Sequence, residues 1–149
     1  MKKKLATLSI VAVLSVAVVF MAGCPANVSQ RQQTANAAQN ISIIVEDFQQ
    51  GEISSHNAGL IPDADHQFIQ KELLTVATLG KTADLCIKDT TNTAGIVTCL
   101  NTAASSIDQI NTDGGLYLKS DKAKTTFQIA MIGVKTTLNS IAATLGGAK

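Results

Sequence analysis

The chain has 149 residues, 12 Lys and Arg against 11 Asp and Glu, 3% aromatic residues and no Trp. It lacks the clustered positive charge and stacking rings that nucleic-acid binding needs, and the same shortage of rings speaks against an aromatic sugar platform. All 11 acidic residues follow residue 23, whereas three of the 12 basic ones precede it, so the part beyond residue 23 carries a formal charge of −2.

The first element is a run of three parts. Lys2, Lys3 and Lys4 form a charged start, Leu5 to Phe20 is apolar, and Ala22 and Gly23 are the small residues a signal peptidase requires just before its cut. The segment Met21-Ala22-Gly23-Cys24 resembles the lipobox of bacterial lipoproteins, usually Leu, a small residue, Gly or Ala, then the Cys whose sulfur takes diacylglycerol. The resemblance covers residues 1–24 only. It departs at Met21, where Leu is commonest, an exchange of one unbranched or γ-branched apolar side chain for another of similar volume.

The resemblance implies a signal peptide over 1–23, lipid with palmitate-type acyl chains on Cys24, and a tether over 24–34 that includes the start of the first helix. The domain over 35–149 would then sit in the cell envelope, anchored to the inner or outer membrane on its extracytoplasmic side. Leu5 to Ala22, at 18 residues, also reaches the lower limit of about 17–25 for an uncleaved membrane span. Both arrangements keep the lysines inside and the domain outside.

Removing 23 of the 149 residues leaves 126, enough for one domain with a single core and too few for two. Four segments repeat apolar residues at spacings of three and four, the signature of one buried helix face. The first runs from about Ser29 to Gln50, with Ala35, Ala38, Ile41, Val45 and Phe48 on its seam and Gly51 as a stop. Ile41 to Val45 is β-branched enough to suggest a strand, but the helical seam through it decides against one.

The second segment runs from about Asp63 to Lys88, with Ile69, Leu73, Val76, Gly80, Ala83 and Ile87 on its stripe, widened by Leu79 and Cys86. The third runs from about Ala94 to Asn111 through Ile96, Cys99, Leu100, Ala103, Ile107 and Ile110, and is expected to end at Asp113, Gly114 and Gly115. The fourth starts at the N-cap Ser120 and carries Ala123, Phe127, Ala130, Val134, Leu138, Ile141 and Leu145. Short connectors make neighbours run antiparallel, so the expected fold is all-α, a four-helix up-down-up-down bundle. Ala38, Gly80, Ala103 and Ala130 permit close helix approach, and Phe48, Phe68 and Phe127 fill wider layers.

Cys86 and Cys99 are the strongest pair inside the domain. A hairpin turn centred between Asn92 and Thr93 puts each the same number of residues from the centre, on its own helix's apolar stripe. A Cα separation of about 5.5–6 Å then suits a disulfide, which persists outside the cytoplasm; two free buried thiols are the other reading. A redox role is disfavoured, because thiol exchange enzymes commonly place Cys-x-x-Cys at a helix start.

The stretch Glu52 to His66 reads as the longest irregular connector. It holds His56, Asp63, Asp65 and His66 and could in principle offer ligands to a divalent ion. The plainer reading makes Pro62 and Asp63 a helix start, gives Asp65 the positive helix end, and leaves His66 exposed in the first turn. No metal is therefore expected, and with no Cys-x-x-Cys-His, no covalent haem or other cofactor. Gly-x-Ser-x-Gly, His-Glu-x-x-His and the phosphate-binding glycine loop are all absent from the sequence.

With no catalytic residue assigned, the leading expectation is a non-catalytic envelope lipoprotein, a structural or protein-interaction module for an envelope partner or a second copy. The alternative is a binding module that holds a small apolar ligand or cofactor between its helices, and the discriminating feature is an enclosed cavity against a closed aliphatic core.

Overall fold

The computed structural model describes residues 30–89 and 92–146. Four helices account for most of them: α1 Gln30–Asn57, α2 Asp63–Asp89, α3 Thr93–Tyr117 and α4 Asp121–Gly146, with no strand among the described residues. Each helix packs on the next and α1 packs on α4, which closes the four into a bundle. Nothing in these helices is long and apolar enough to cross a membrane. Cys24 and the segment 1–23 lie outside the described residues, as do the side chains of the seam positions Ala35 and Ala38.

The core follows the three-and-four period. Ile41, Val45 and Phe48 of α1 meet Ile69, Leu73, Val76, Ala83 and Ile87 of α2, Ile96, Leu100, Ala103, Ile107 and Ile110 of α3, and Ala123, Phe127, Val134, Leu138 and Ile141 of α4. Helix propensity contributes little in segments so rich in Thr and Ser. Their hydroxyls are instead satisfied locally: Thr98, Thr102, Ser106 and Thr112 each donate to the carbonyl four residues back, at 2.9, 2.9, 3.1 and 2.9 Å. Burial of one aliphatic stripe per helix then holds the helices together.

One aromatic ring from each helix forms a layer. Phe127 meets Phe48 at 6.3 Å and Phe68 at 6.0 Å, both edge-on, while Phe68 meets Tyr117 at 5.7 Å. This layer explains where α3 departs from expectation. The helix does not stop at Asp113, Gly114 and Gly115 but runs on to Tyr117, and Gly114 is buried within it. A Cβ on Gly114 would overlap the Phe127 ring. The glycine is there for close approach rather than for a turn.

Gly51 is likewise no stop. α1 continues two turns past it to Asn57, and the exit falls at Gly59, whose φ of 71° is the left-handed value. Leu60 N–H bonds Ser55 C=O at 2.9 Å and Gly59 N–H bonds His56 C=O at 2.8 Å, a Schellman arrangement. The irregular connector thus shrinks from Glu52–His66 to residues 58–62. At the other turn, Asn92 caps α3 by accepting from Ala94 N–H at 3.0 Å.

Candidate functional site

The extra turns of α1 and the first turn of α2 bring together a polar cluster beside the aromatic layer. Glu52, on the inward face of α1, is 1% exposed. Its carboxylate accepts from His66 Nδ1 at 2.8 and 3.0 Å and from Gln70 Nε2 at 2.6 Å. Gln49 Nε2 in turn donates to Gln70 Oε1 at 2.9 Å. A buried carboxylate is tolerable only when its oxygens are occupied in this way. Two residues one turn apart on α2, His66 and Gln70, supply the donors.

His66 is therefore not exposed in the first turn as the sequence suggests. Its side chain is 25% accessible, and its ring stacks on that of His56 with centroids 4.0 Å apart and planes 13° apart. His56 Nε2 lies 2.9 Å from the exposed carboxylate of Asp63. Each imidazole is thus held by one carboxylate, and the two rings lie face to face. Near-parallel planes send the ring lone pairs side by side rather than toward one point. No group of three or more His, Cys, Asp or Glu among the described residues is arranged to hold a metal ion.

Asp65 stands in the first turn of α2 as expected and serves a second helix as well. Its buried carboxylate accepts from Lys119 N–H at 2.9 Å and Ser120 N–H at 2.7 Å, just before α4. Ser120 Oγ then accepts from Ala123 N–H at 3.3 Å. The start of α4 has a local cap and a second one reaching across from α2.

At Cys86 and Cys99 the chain pairs as the hairpin symmetry suggests. The two sulfurs are bonded across α2 and α3, with Cα atoms 6.5 Å apart, slightly wider than expected but inside the usual range. Leu79 and Val97 pack against the core as partly buried residues. Met131 is core, and Glu46 and Asp47 are exposed.

Two hollows accompany the core, both in the groove between α1 and α2. One of about 270 Å³ is lined by Gln39, Ser42, Gly80, Lys81 and Asp84; the other, about 130 Å³, by Val45, Gln49, Gln70, Leu73, Leu74 and Ala77. Both belong to the outer groove rather than to the space enclosed by all four helices.

Sequence reasoning missed Glu52 as a member of the cluster. The available signal was a carboxylate at the seam spacing four residues after Phe48, with His66 and Gln70 spaced to meet it from a neighbouring helix. Comparison with known protein families, curated proteins and solved structures returns no match to this chain.

Proposed function

We propose that the protein is a non-catalytic lipoprotein of the cell envelope, held by lipid on Cys24, whose bundle serves as an interaction or structural module. The observation that carries this reading is where the buried polar chemistry goes. Glu52 and Asp65 spend their oxygens on His66, Gln70 and the backbone before α4, so they tie helices together rather than face a substrate. The aliphatic core, filled by Ile41, Ile69, Leu100, Phe127 and Leu138, supports this reading over a ligand held between the helices. The three lysines, the apolar run and the small residues before Cys24 support export and lipidation.

The helices run up, down, up and down. Ile41 against Gly80, Gln49 against Gln70 and Glu52 against His66 support an antiparallel α1 and α2. Cys86 with Cys99 and Phe68 with Tyr117 support the same for α2 and α3. Asp108 with Lys135 and Gly114 with Phe127 support it for α3 and α4.

Acyl-chain labelling of the exported protein tests the reading. Incorporation should require Cys24, and labelling that persists in Cys24→Ser overturns the anchor. For the interaction role, crosslinking in intact cells should give a discrete larger species containing this chain; its absence under conditions that trap known envelope complexes counts against the module.

A further inference from the structure

The side of α4 that points directly away from the core repeats the three-and-four spacing of the core stripe. Thr125, Ile129, Ile132, Thr136, Asn139 and Ala143 follow one another at alternating steps of four and three, and all six are exposed. Ile129 and Ile132, in its first half, are 42% and 57% exposed. Between Thr125 and Ala143 no charged side chain lies within about 50° of this line. Lys135, about 90° away, is turned to Asp108 at 2.6 Å. The helix thus carries one seam into the bundle and a second, milder one on its outer side.

The outer lines of the other helices differ. α1 sets the exposed Glu46 and Asp47 beside Ile43, and α2 puts Lys71 on the line of Leu74 and Leu85. α3 shows Thr98, Asn101, Ser105 and Thr112 outward, with no large apolar side chain on that line before Leu116. The α4 line is also symmetric. From the point midway between Ile129 and Ile132, each isoleucine is followed four residues outward by a threonine, Thr125 on one side and Thr136 on the other. A closed two-fold contact has this form, because residue i meets j of the partner while j meets i.

We infer that this face of α4 is the contact between two copies of the chain, laid antiparallel about the midpoint of Ile129 and Ile132. The inference rests on the interaction-module reading and gives that module its partner and its face. In this register Ile129 falls level with Ile132 of the second copy, and Thr125 with Thr136. Lys122, Lys124 and Lys135 fall level with Asn139, Thr137 and Thr126 of the second copy, so no lysine meets a lysine. A parallel pair would set each lysine against itself, and α2 paired in the same way about the midpoint of Leu74 and Leu85 would set Lys71 against Lys88, both of which cost affinity. Sliding the α4 pair to its next register would put Ile129 against Asn139 and Ile132 against Thr136, with fewer apolar partners. From Thr125 to Thr136 the seam covers about 17 Å, which belongs to the small, reversible class of interface.

Charge exchange across the seam tests this. Sedimentation of the full-length protein in a density-matched detergent should show a monomer and dimer whose ratio follows concentration. One variant carries Ile129→Lys with Ile132→Lys, and a second carries Ile129→Glu with Ile132→Glu. Each alone should weaken self-association by about tenfold or more, and mixing the two should restore a dimer of unlike chains. Both positions face outward, so each variant should keep the helical circular dichroism of the parent. Leu74→Lys, on the outer side of α2, should leave the dimer unchanged. A photocrosslinking side chain in place of Thr125 should mark the other copy around Thr136.

A parent that stays monomeric at every concentration overturns the inference. So does a dimer that both charged variants keep, or one in which the crosslink falls around position 125 of the other copy, which would mean parallel pairing. Crosslinking in intact cells separates this inference from the reading beneath it. A discrete complex that the charged variants leave intact keeps the module and removes the α4 face; a dimer in detergent with no complex in cells keeps the face and removes the module.

Discussion

Glu52 is the residue whose loss has the most specific outcome. Glu52→Ala leaves His66 Nδ1 and Gln70 Nε2 without their acceptor and should cost about 3 kcal/mol in urea unfolding. Adding His66→Ala to it should cost less than the sum of the two single changes, because the pair fails together. A Glu52→Ala protein as stable as the parent would show that the buried network contributes nothing. Gly114→Ala is sharper still: the added methyl meets Phe127, itself fully buried, and should lower stability by about 1–3 kcal/mol through overpacking. Gly133→Ala, with open space at its Cβ, should be neutral or stabilising, which separates a packing effect from a general effect of glycine replacement. Glu52 also marks what a sequence conceals at this scale. Its partners lie 14 and 18 residues away, on another helix, and a single carboxylate in an apolar seam carries no local sign that donors will meet it.

At the scale of elements, the faces of the helices were legible and several of their ends were not. Val45, Leu73, Ala103 and Leu138 are buried where the three-and-four period puts them, because burial of one stripe is a property of the helix itself. Gly51 and Gly114 were read as stops because glycine is a common helix exit, yet neither has a positive φ. One lies over open space and the other under a ring, and only tertiary structure tells these apart from an exit. The start of α4 was legible through Ser120 but its second cap was not, since Asp65 stands 55 residues earlier. Asp65→Ala should remove an acceptor from two backbone N–H groups and cost about 1–2 kcal/mol. Hydrogen exchange should report faster opening at Lys119 and Ser120 with α1 little changed; uniform destabilisation without local opening would contradict the capping role.

For the whole molecule, the filled core and the helix content lead to one expected spectrum and one expected failure. Circular dichroism of the protein should be dominated by helix. Val134→Asp should destabilise it by several kcal/mol, because a charge would enter a site that is 1% exposed and lined by aliphatic groups. A mutant as stable as the parent would contradict a core at that position. Reduction of Cys86 and Cys99 should lower stability by about 3 kcal/mol for a loop of this size while leaving most helix in place, since the stripes that bury against each other are unchanged. Quantitative thiol labelling of both cysteines in denatured, unreduced protein would show instead that the native pair is not bonded.

The bond between Cys86 and Cys99 bridges the stretch of chain that joins the first two helices to the last two. A protease that nicks the chain between them therefore separates nothing: the severed halves remain one covalent body, and a single band should persist on a gel until reductant is added. Damage to that turn would become visible only when the nicked protein is both reduced and denatured, because the buried stripes hold the halves together until then.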